Sequence, residues 1–257
     1  MTVNLVLVSG ALALALAVGY LVARRSGLSG DDYSGPVGTL VAPCLLAIYL
    51  IAIAMGIVIG WENKNTASNN AVDEASAATA LYWSTQALPE DRAEPIREDL
   101  RAYVTTVVRE EWPVMRKDGE LSEAGEDRLD RLMVSVHEGV AQNGSGTADR
   151  ITAHQEMAVL VDQRMKRADA VDDTIPEALV IAVLVSAAAV AVMPFGSRHR
   201  GSRASLLWAG VNLAFVATTV IMLFYLDNPY TGVHAIDAQP LEDALEGFDR
   251  IDRVTGP

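Results

Sequence analysis

Apolar and polar positions are segregated along this chain. Four stretches, residues 3–23, 39–61, 176–195 and 204–226, carry almost no charge. A helix needs about 20 mostly apolar residues to cross a bilayer core of roughly 30 Å, and each stretch has that length. Long helices inside soluble domains normally keep a polar face. These runs are apolar all round, so the pattern predicts four transmembrane helices. The first has no positive residue ahead of it and is followed by Arg24 and Arg25. That is the reverse of a signal peptide's charge order, so it reads as a retained anchor.

Between the second and third runs the apolar residues recur at helical spacing. Ala71, Ala75, Ala78 and Tyr82 form one stripe, and a break follows at Leu88-Pro89-Glu90-Asp91. Ile96, Leu100, Tyr103, Val104, Val107 and Val108 make the clearest stripe, which Pro113 and Lys117-Asp118-Gly119 are expected to end. Ser122 is placed to cap a third helix, with Leu129, Leu132, Met133, Val136 and Val140 on one face. Beyond the Asn143-Gly144-Ser145-Gly146 turn, Thr147 is expected to cap a fourth helix presenting Met157, Leu160, Val161 and Met165, closed by Asp172-Asp173. Thr174-Ile175-Pro176-Glu177 reads as a capping box opening the third span. Four amphipathic stripes bury one another most economically as a helical bundle. The fold class is therefore an all-α integral membrane protein with four transmembrane helices and a helical-bundle insert between the second and third. Its parts are residues 1–61 (first two spans), 62–175 (acidic extramembrane domain), 176–226 (last two spans) and 227–257 (acidic tail). The Gly-rich stretch 27–38 reads as a flexible connection.

Composition agrees with this segregation: mean hydropathy is positive, +0.22, although the chain holds 33 acidic and 20 basic side chains. The net charge of −13 divides into −10 for residues 62–175, −5 from residue 227 onward and +2 elsewhere. An acidic insert and tail argue against nucleic acid as a partner. Short connections rich in Lys and Arg stay in the cytoplasm. Arg24 and Arg25 occupy one such connection; Arg198, His199, Arg200 and Arg203 occupy the other. That places the acidic domain and both termini outside the plasma membrane. Tyr20, Trp61, Trp208 and Tyr225 suit an interfacial belt on either face. The single cysteine, Cys44, permits no intrachain disulfide and reads as a small buried apolar residue.

No catalytic, cofactor or metal site emerges, and the chain is not expected to be an enzyme. His137, His154, His199 and His234 lie in four segments with no metal-ligand spacing between them. Phosphate-loop, nucleophile-elbow and zinc signatures are missing from the sequence. The acidic run Asp237, Glu242, Asp243, Glu246 and Asp249 lacks EF-hand spacing and reads as a solvated tail. Within the last three runs the only ionisable acid or base is Glu177, at the start of a span. Pumps and proton-coupled carriers usually keep such groups within the membrane. Ser186, Asn212, Thr218 and Thr219 suit interhelical hydrogen bonding instead. Pro43 should bend or loosen its helix.

One ordered series of residues carries a resemblance. Glu74, Leu81-Tyr82, Leu88-Pro89-Glu90, Tyr103 and Glu111-Trp112-Pro113 are followed, after the fourth run, by Asp227-Asn228-Pro229-Tyr230-Thr231-Gly232. In that order they resemble the bacterial bestrophin-like domain family of unknown function, with Glu-Trp-Pro the most specific marker. True bestrophins are more distant: their last span ends in Asn-Pro-Phe-Gly before an acidic segment. Here Tyr230 replaces the Phe and Thr231 is inserted before Gly232. Bestrophins are pentameric ion channels whose second span lines an apolar neck. The resemblance implies a homo-oligomer passing small ions, with Tyr49 and Ile53 as candidate pore-lining residues. Packing of these two against neighbouring helices or lipid is the alternative. The resemblance also implies a cytosolic insert, contrary to the arginine bias, which uses this sequence directly and is preferred. Two functions stand: an oligomeric ion channel, or a non-conducting envelope protein whose helical domain binds a partner or senses a condition.

Overall fold

The computed structural model describes residues 36–141, 147–196, 203–231 and 235–255, and among them every regular element is helical. The expected first span lies outside the described residues. The chain divides into two compact units: Met1–Trp61 with Ile175–Asp227, and Glu62–Thr174 with Asn228–Pro257. Helix α1 (Pro36–Ser84) contributes to both. It starts inside the expected flexible connection and runs on through Pro43.

Three helical segments are long and apolar enough to cross a membrane. They are the first part of α1, α6 (Glu177–Gly196) and α7 (Arg203–Leu226). Tyr49, Ala52 and Ile53 of α1 pack with Val183, Ala187, Val190 and Ala191 of α6 and Val216, Val220 and Leu223 of α7. Lipid is as apolar as these side chains, so close approach and hydrogen bonds hold such helices together. Gly56 and Gly60 supply the close approach. A Cβ on Gly60 would lie 2.7 Å from Leu226 Cβ and 2.9 Å from its carbonyl oxygen. The hydrogen bonds come from two of the four expected residues. Asn212 Nδ2 donates to Val190 O at 3.0 Å, and Thr219 pairs with the Tyr49 hydroxyl. Ser186 and Thr218 instead bond to carbonyls of their own helices.

Helix α6 begins later than its sequence suggests. The carbonyl of Pro176 accepts the first turn's N–H groups, from Leu179 at 2.8 Å and Val180 at 3.1 Å. Thr174 is exposed and lies ahead of that turn. Asp227, just past α7, accepts the Ile175 N–H at 3.2 Å.

The second unit gathers the rest of α1, α2 (Glu90–Thr106), α3 (Trp112–Asp118), α4 (Glu123–Ala141), α5 (Thr147–Asp172) and α8 (Gln239–Thr255). Leu88-Pro89 breaks the chain as expected, and the Ser122 hydroxyl caps α4 by accepting the Ala124 N–H at 3.3 Å. Two side-chain amides set the register of α1 on the α5 segment. Asn70 Nδ2 donates to Lys166 O at 3.1 Å, and Asn63 Nδ2, two turns earlier, donates to Asp173 O at 3.2 Å. Met133 and Met165, expected in the core, are exposed at 44% and 55%. The rest of each stripe holds, with Leu129, Leu132, Val136 and Val140 of α4 and Met157 and Leu160 of α5 buried, and Arg164 and Arg167 take the remaining inward positions of α5.

The acidic run of the tail, Asp237, Glu242, Asp243, Glu246 and Asp249, is exposed as expected, but the tail is also a packed amphipathic helix. Its acidic residues alternate at helical spacing with Leu241, Ala244, Phe248 and Ile251, all buried in α8. Phe248 stacks on Tyr82 at 4.3 Å between centroids, with the rings 7° apart. Arg101 of α2 reaches Asp249 and Asp252 at 2.7 Å each, and the Tyr82 hydroxyl donates to Asp252 at 2.7 Å. Half-exposed ion pairs of this kind contribute little, so apolar burial holds the helix and the charges orient it.

Candidate functional site: a buried ion-pair network

The sequence around Pro113 builds an irregular turn, and that turn carries the site. Proline has no N–H to donate and its ring crowds the carbonyl four residues back. Instead of ending, the helix widens for one turn over Val107–Glu111, where the Trp112 N–H reaches back to Val107 O. It then continues as α3 until Gly119. There a φ of 71° and an N–H bond to Met115 O at 3.0 Å stop it. Wide turns of this kind insert one residue into the helical repeat and are frequent at functional sites. The inserted residue lets Tyr103, Val104 and Val107 face inward on one side of the turn, and Glu111, Trp112 and Met115 on the other.

Glu111 arrives in the core as a fully buried carboxylate, and so does Glu74 from α1. Two arginines of α5 meet them. Arg164 forms a fork with Glu111, Nη1 to Oε1 at 3.0 Å and Nη2 to Oε2 at 2.9 Å. Arg167, with no exposed surface, bridges both acids. Its Nε lies 2.5 Å from Glu74 Oε2, its Nη2 3.2 Å from Glu74 Oε1, and its Nη1 2.6 Å from Glu111 Oε1. The Tyr103 hydroxyl donates to Glu74 Oε1, and Arg167 Nη1 also contacts Met115 Sδ at 3.1 Å. The network is therefore a neutral chain, Tyr103–Glu74–Arg167–Glu111–Arg164. Fork geometry of this type makes the strongest charge-assisted hydrogen bonds.

Burial works against the charge on Arg167, but the Glu74 and Glu111 carboxylates outweigh it and hold the guanidinium protonated. Burial, reinforced by the Glu74 charge, pushes the Tyr103 hydroxyl well above its ordinary value, so it remains a donor. The segment after α7 closes the site. The Trp112 indole donates to Ile236 O at 3.2 Å and meets the Tyr230 ring edge-on, centroids 5.9 Å apart. The Arg167 guanidinium lies 5.5 Å from the Trp112 ring centre. Asn228 folds this segment by accepting the Tyr230 N–H at 2.9 Å.

Residues singled out in the sequence thus divide into groups. Glu74, Tyr103, Glu111, Trp112 and Tyr230 come together in one place, with Asn228 shaping the approach. Pro113 shapes the wide turn while itself exposed, and Asp227 serves the start of α6. Gly232, His199 and His234 lie outside the described residues. His137 and His154, separate in sequence, are brought to a 6.2 Å ring separation on exposed faces of α4 and α5. Tyr49 and Ile53 are buried within the chain, 0% and 5% exposed, against α6 and α7. They occupy the packing side of α1, not an open one. Cys44, expected to be buried, is exposed on the other side.

A family model described as the bestrophin-like domain matches residues 9–241. The chain belongs to the bestrophin-like family. No curated protein and no solved structure matches it. With its three apolar helical segments, it is a membrane protein related to bestrophins. The residues that mark the bestrophin-like series are thus mostly a structural lock in the second unit. Glu74, Tyr103, Glu111 and Arg167 have no accessible surface, and Arg164 has little.

The open side of α1 is the other feature of interest. Ala47, Ile51, Ala54, Val58 and Trp61 are exposed, and so are Asn65, Asn69, Val72, Ser76 and Trp83. These positions recur at helical spacing along the element. Their opposite numbers, Tyr49, Ile53, Gly56, Gly60, Ala67, Ala71, Glu74, Ala78 and Leu81, are all buried.

Proposed function

We propose that the protein is an oligomeric ion channel in which copies of α1 surround an axis. The observation that carries this reading is the open stripe of α1. It begins with small and apolar side chains in the membrane segment and continues with amides and hydroxyls beyond Trp61. An apolar constriction followed by polar groups suits a pore gated by wetting and drying. On this reading the pore-facing residues are Ala47, Ile51, Ala54 and Val58, not Tyr49 and Ile53. Kinship with bestrophins supports the layout, and the buried network keeps the water-facing half of α1 rigid.

The chain's only cysteine supplies the test, because Cys44 lies on the same open face. Mild oxidation of the protein in nanodiscs should give covalent dimers that Cys44→Ser abolishes, alongside ion flux in liposomes. A chain that stays monomeric and passes no ions would remove the channel reading. A second reading, a partner-binding membrane protein that does not conduct, is favoured by an open groove between α1 and α8. Exposed Val72 and Trp83 border it.

The arginine bias assigns the helical unit to the outer face of a plasma membrane. A reporter active only in the cytosol, inserted within residues 142–146, should therefore stay silent. Activity there would reverse the orientation.

A further inference from the structure

His137 lies about one turn before the end of α4, and His154 about two turns inside α5. Each directly follows a core residue, Val136 or Ala153, and those two belong to one apolar cluster. A helix turns about 100° per residue, so both histidines stand at the rim of the buried stripe, over the same seam. Their rings are 6.2 Å apart between centroids and tilted by 57°. Both are exposed, and among the described residues neither makes a hydrogen bond or an ion pair.

From this placement we infer that the pair binds a late first-row divalent cation, of the class of Zn²⁺, Ni²⁺ and Cu²⁺, with water filling the other positions. Two imidazoles sharing an ion at metal–nitrogen bonds of about 2.0–2.1 Å put their ring centres roughly 5–6.5 Å apart. The observed separation falls in that range with both backbones where they stand. The donor set decides the class of ion. Neutral imidazole suits zinc, copper and nickel, whereas calcium and magnesium require oxygen ligands. Among the described residues no third histidine, cysteine or carboxylate joins the pair, so a hard cation finds no oxygen cage there. An ion held by both rings would tie two consecutive helices together and make the stability of the second unit respond to metal. The site does not depend on whether the chain conducts.

The test uses the untagged full chain in detergent, carrying Cys44→Ser so that the thiol cannot compete. Zinc followed by calorimetry should bind at one ion per chain, and Ca²⁺ should not bind. Zinc at about a hundredfold excess over its Kd should raise the melting midpoint by roughly 5–10 °C, the mass-action effect of a ligand for the folded state. His137→Asn and His154→Asn should each weaken zinc binding by about tenfold or more, because the remaining imidazole loses its chelating neighbour. Both positions are exposed, so the metal-free midpoint should stay where it was. His199→Asn with His234→Asn should alter neither reading. Cu²⁺ on the same chain should show two coordinated nitrogens by electron paramagnetic resonance, and one in either single variant. Zinc held as tightly after both His137→Asn and His154→Asn, or no zinc held by the parent chain, would overturn the assignment.

Discussion

Arg167→Leu should lower stability by about 3–5 kcal/mol, the usual cost of removing one partner from a buried ion pair. Both of its carboxylate partners have no accessible surface. Without the guanidinium, Glu74 keeps only the Tyr103 hydroxyl, and Glu111 keeps only Arg164. The core would hold one uncompensated negative charge. A loss of this size is a large part of the 5–15 kcal/mol that holds most domains folded. Thermal melting of the detergent-solubilised protein should show it as a drop of roughly 6–20 °C, at about 2–4 °C per kcal/mol for a chain of this length. The companion variant separates charge from packing. Glu74→Leu with Arg167→Leu leaves the neutral Glu111–Arg164 fork and one orphaned Tyr103 hydroxyl. Replacing a whole buried pair by apolar side chains is often close to neutral, so the double variant should regain most of the loss. A single variant as stable as the native protein, or a double variant as poor as the single, would contradict the account of the network.

The same network explains what the sequence could and could not reveal. The apolar spans are legible because twenty uncharged residues in a row have few alternatives in water. Breaks at Leu88-Pro89 and at Gly119 are legible because proline and glycine act locally. Glu74, Tyr103, Glu111, Trp112 and Tyr230 are marked in the sequence only by their order, which carries no information that they meet. Arg164 and Arg167 are invisible to apolar periodicity, because a stripe on α5 defined by apolar residues leaves charged core positions out. A signal was present: Ala153, Met157, Leu160, Arg164, Arg167 and Val171 follow an alternating four-and-three spacing, with the arginines at core positions. Glu74 breaks the run Ala67, Ala71, Ala78, Leu81 on α1 in the same manner. Opposite charges inside two apolar repeats are a pairing code that hydropathy averages away. Averaging also hid α8, where seven acidic residues from Asp227 onward mask the Leu241–Ala244–Phe248–Ile251 stripe. Pro113 misled for another reason: its missing N–H can be absorbed by widening a turn as well as by ending a helix.

Gly125→Ala should be the most damaging single-methyl change in the second unit. Alanine is ordinarily the better helix former by about 1 kcal/mol in a helix interior, so propensity alone would predict a gain. Contact predicts the opposite. A Cβ on Gly125 would lie 2.0 Å from Glu111 Oε2 and 2.9 Å from both Glu111 Cδ and Arg164 Nη2. The carboxylate cannot retreat while gripped by two arginines, and it cannot rotate without breaking the fork. Either α4 moves outward or the Glu111–Arg164 pair opens, so the loss should approach the roughly 3 kcal/mol lower bound for breaking a buried pair. Gly139 in the same helix provides the contrast. There the nearest atom is Ile96 Cδ1 at 3.0 Å, the tip of a flexible side chain. Gly139→Ala should therefore stay within about 1 kcal/mol of the native protein, the propensity gain offsetting a small readjustment. Melting curves of the two variants, taken side by side in one detergent, decide the matter. Equal midpoints would mean that α4 does not need its glycine to pass over the ion pair.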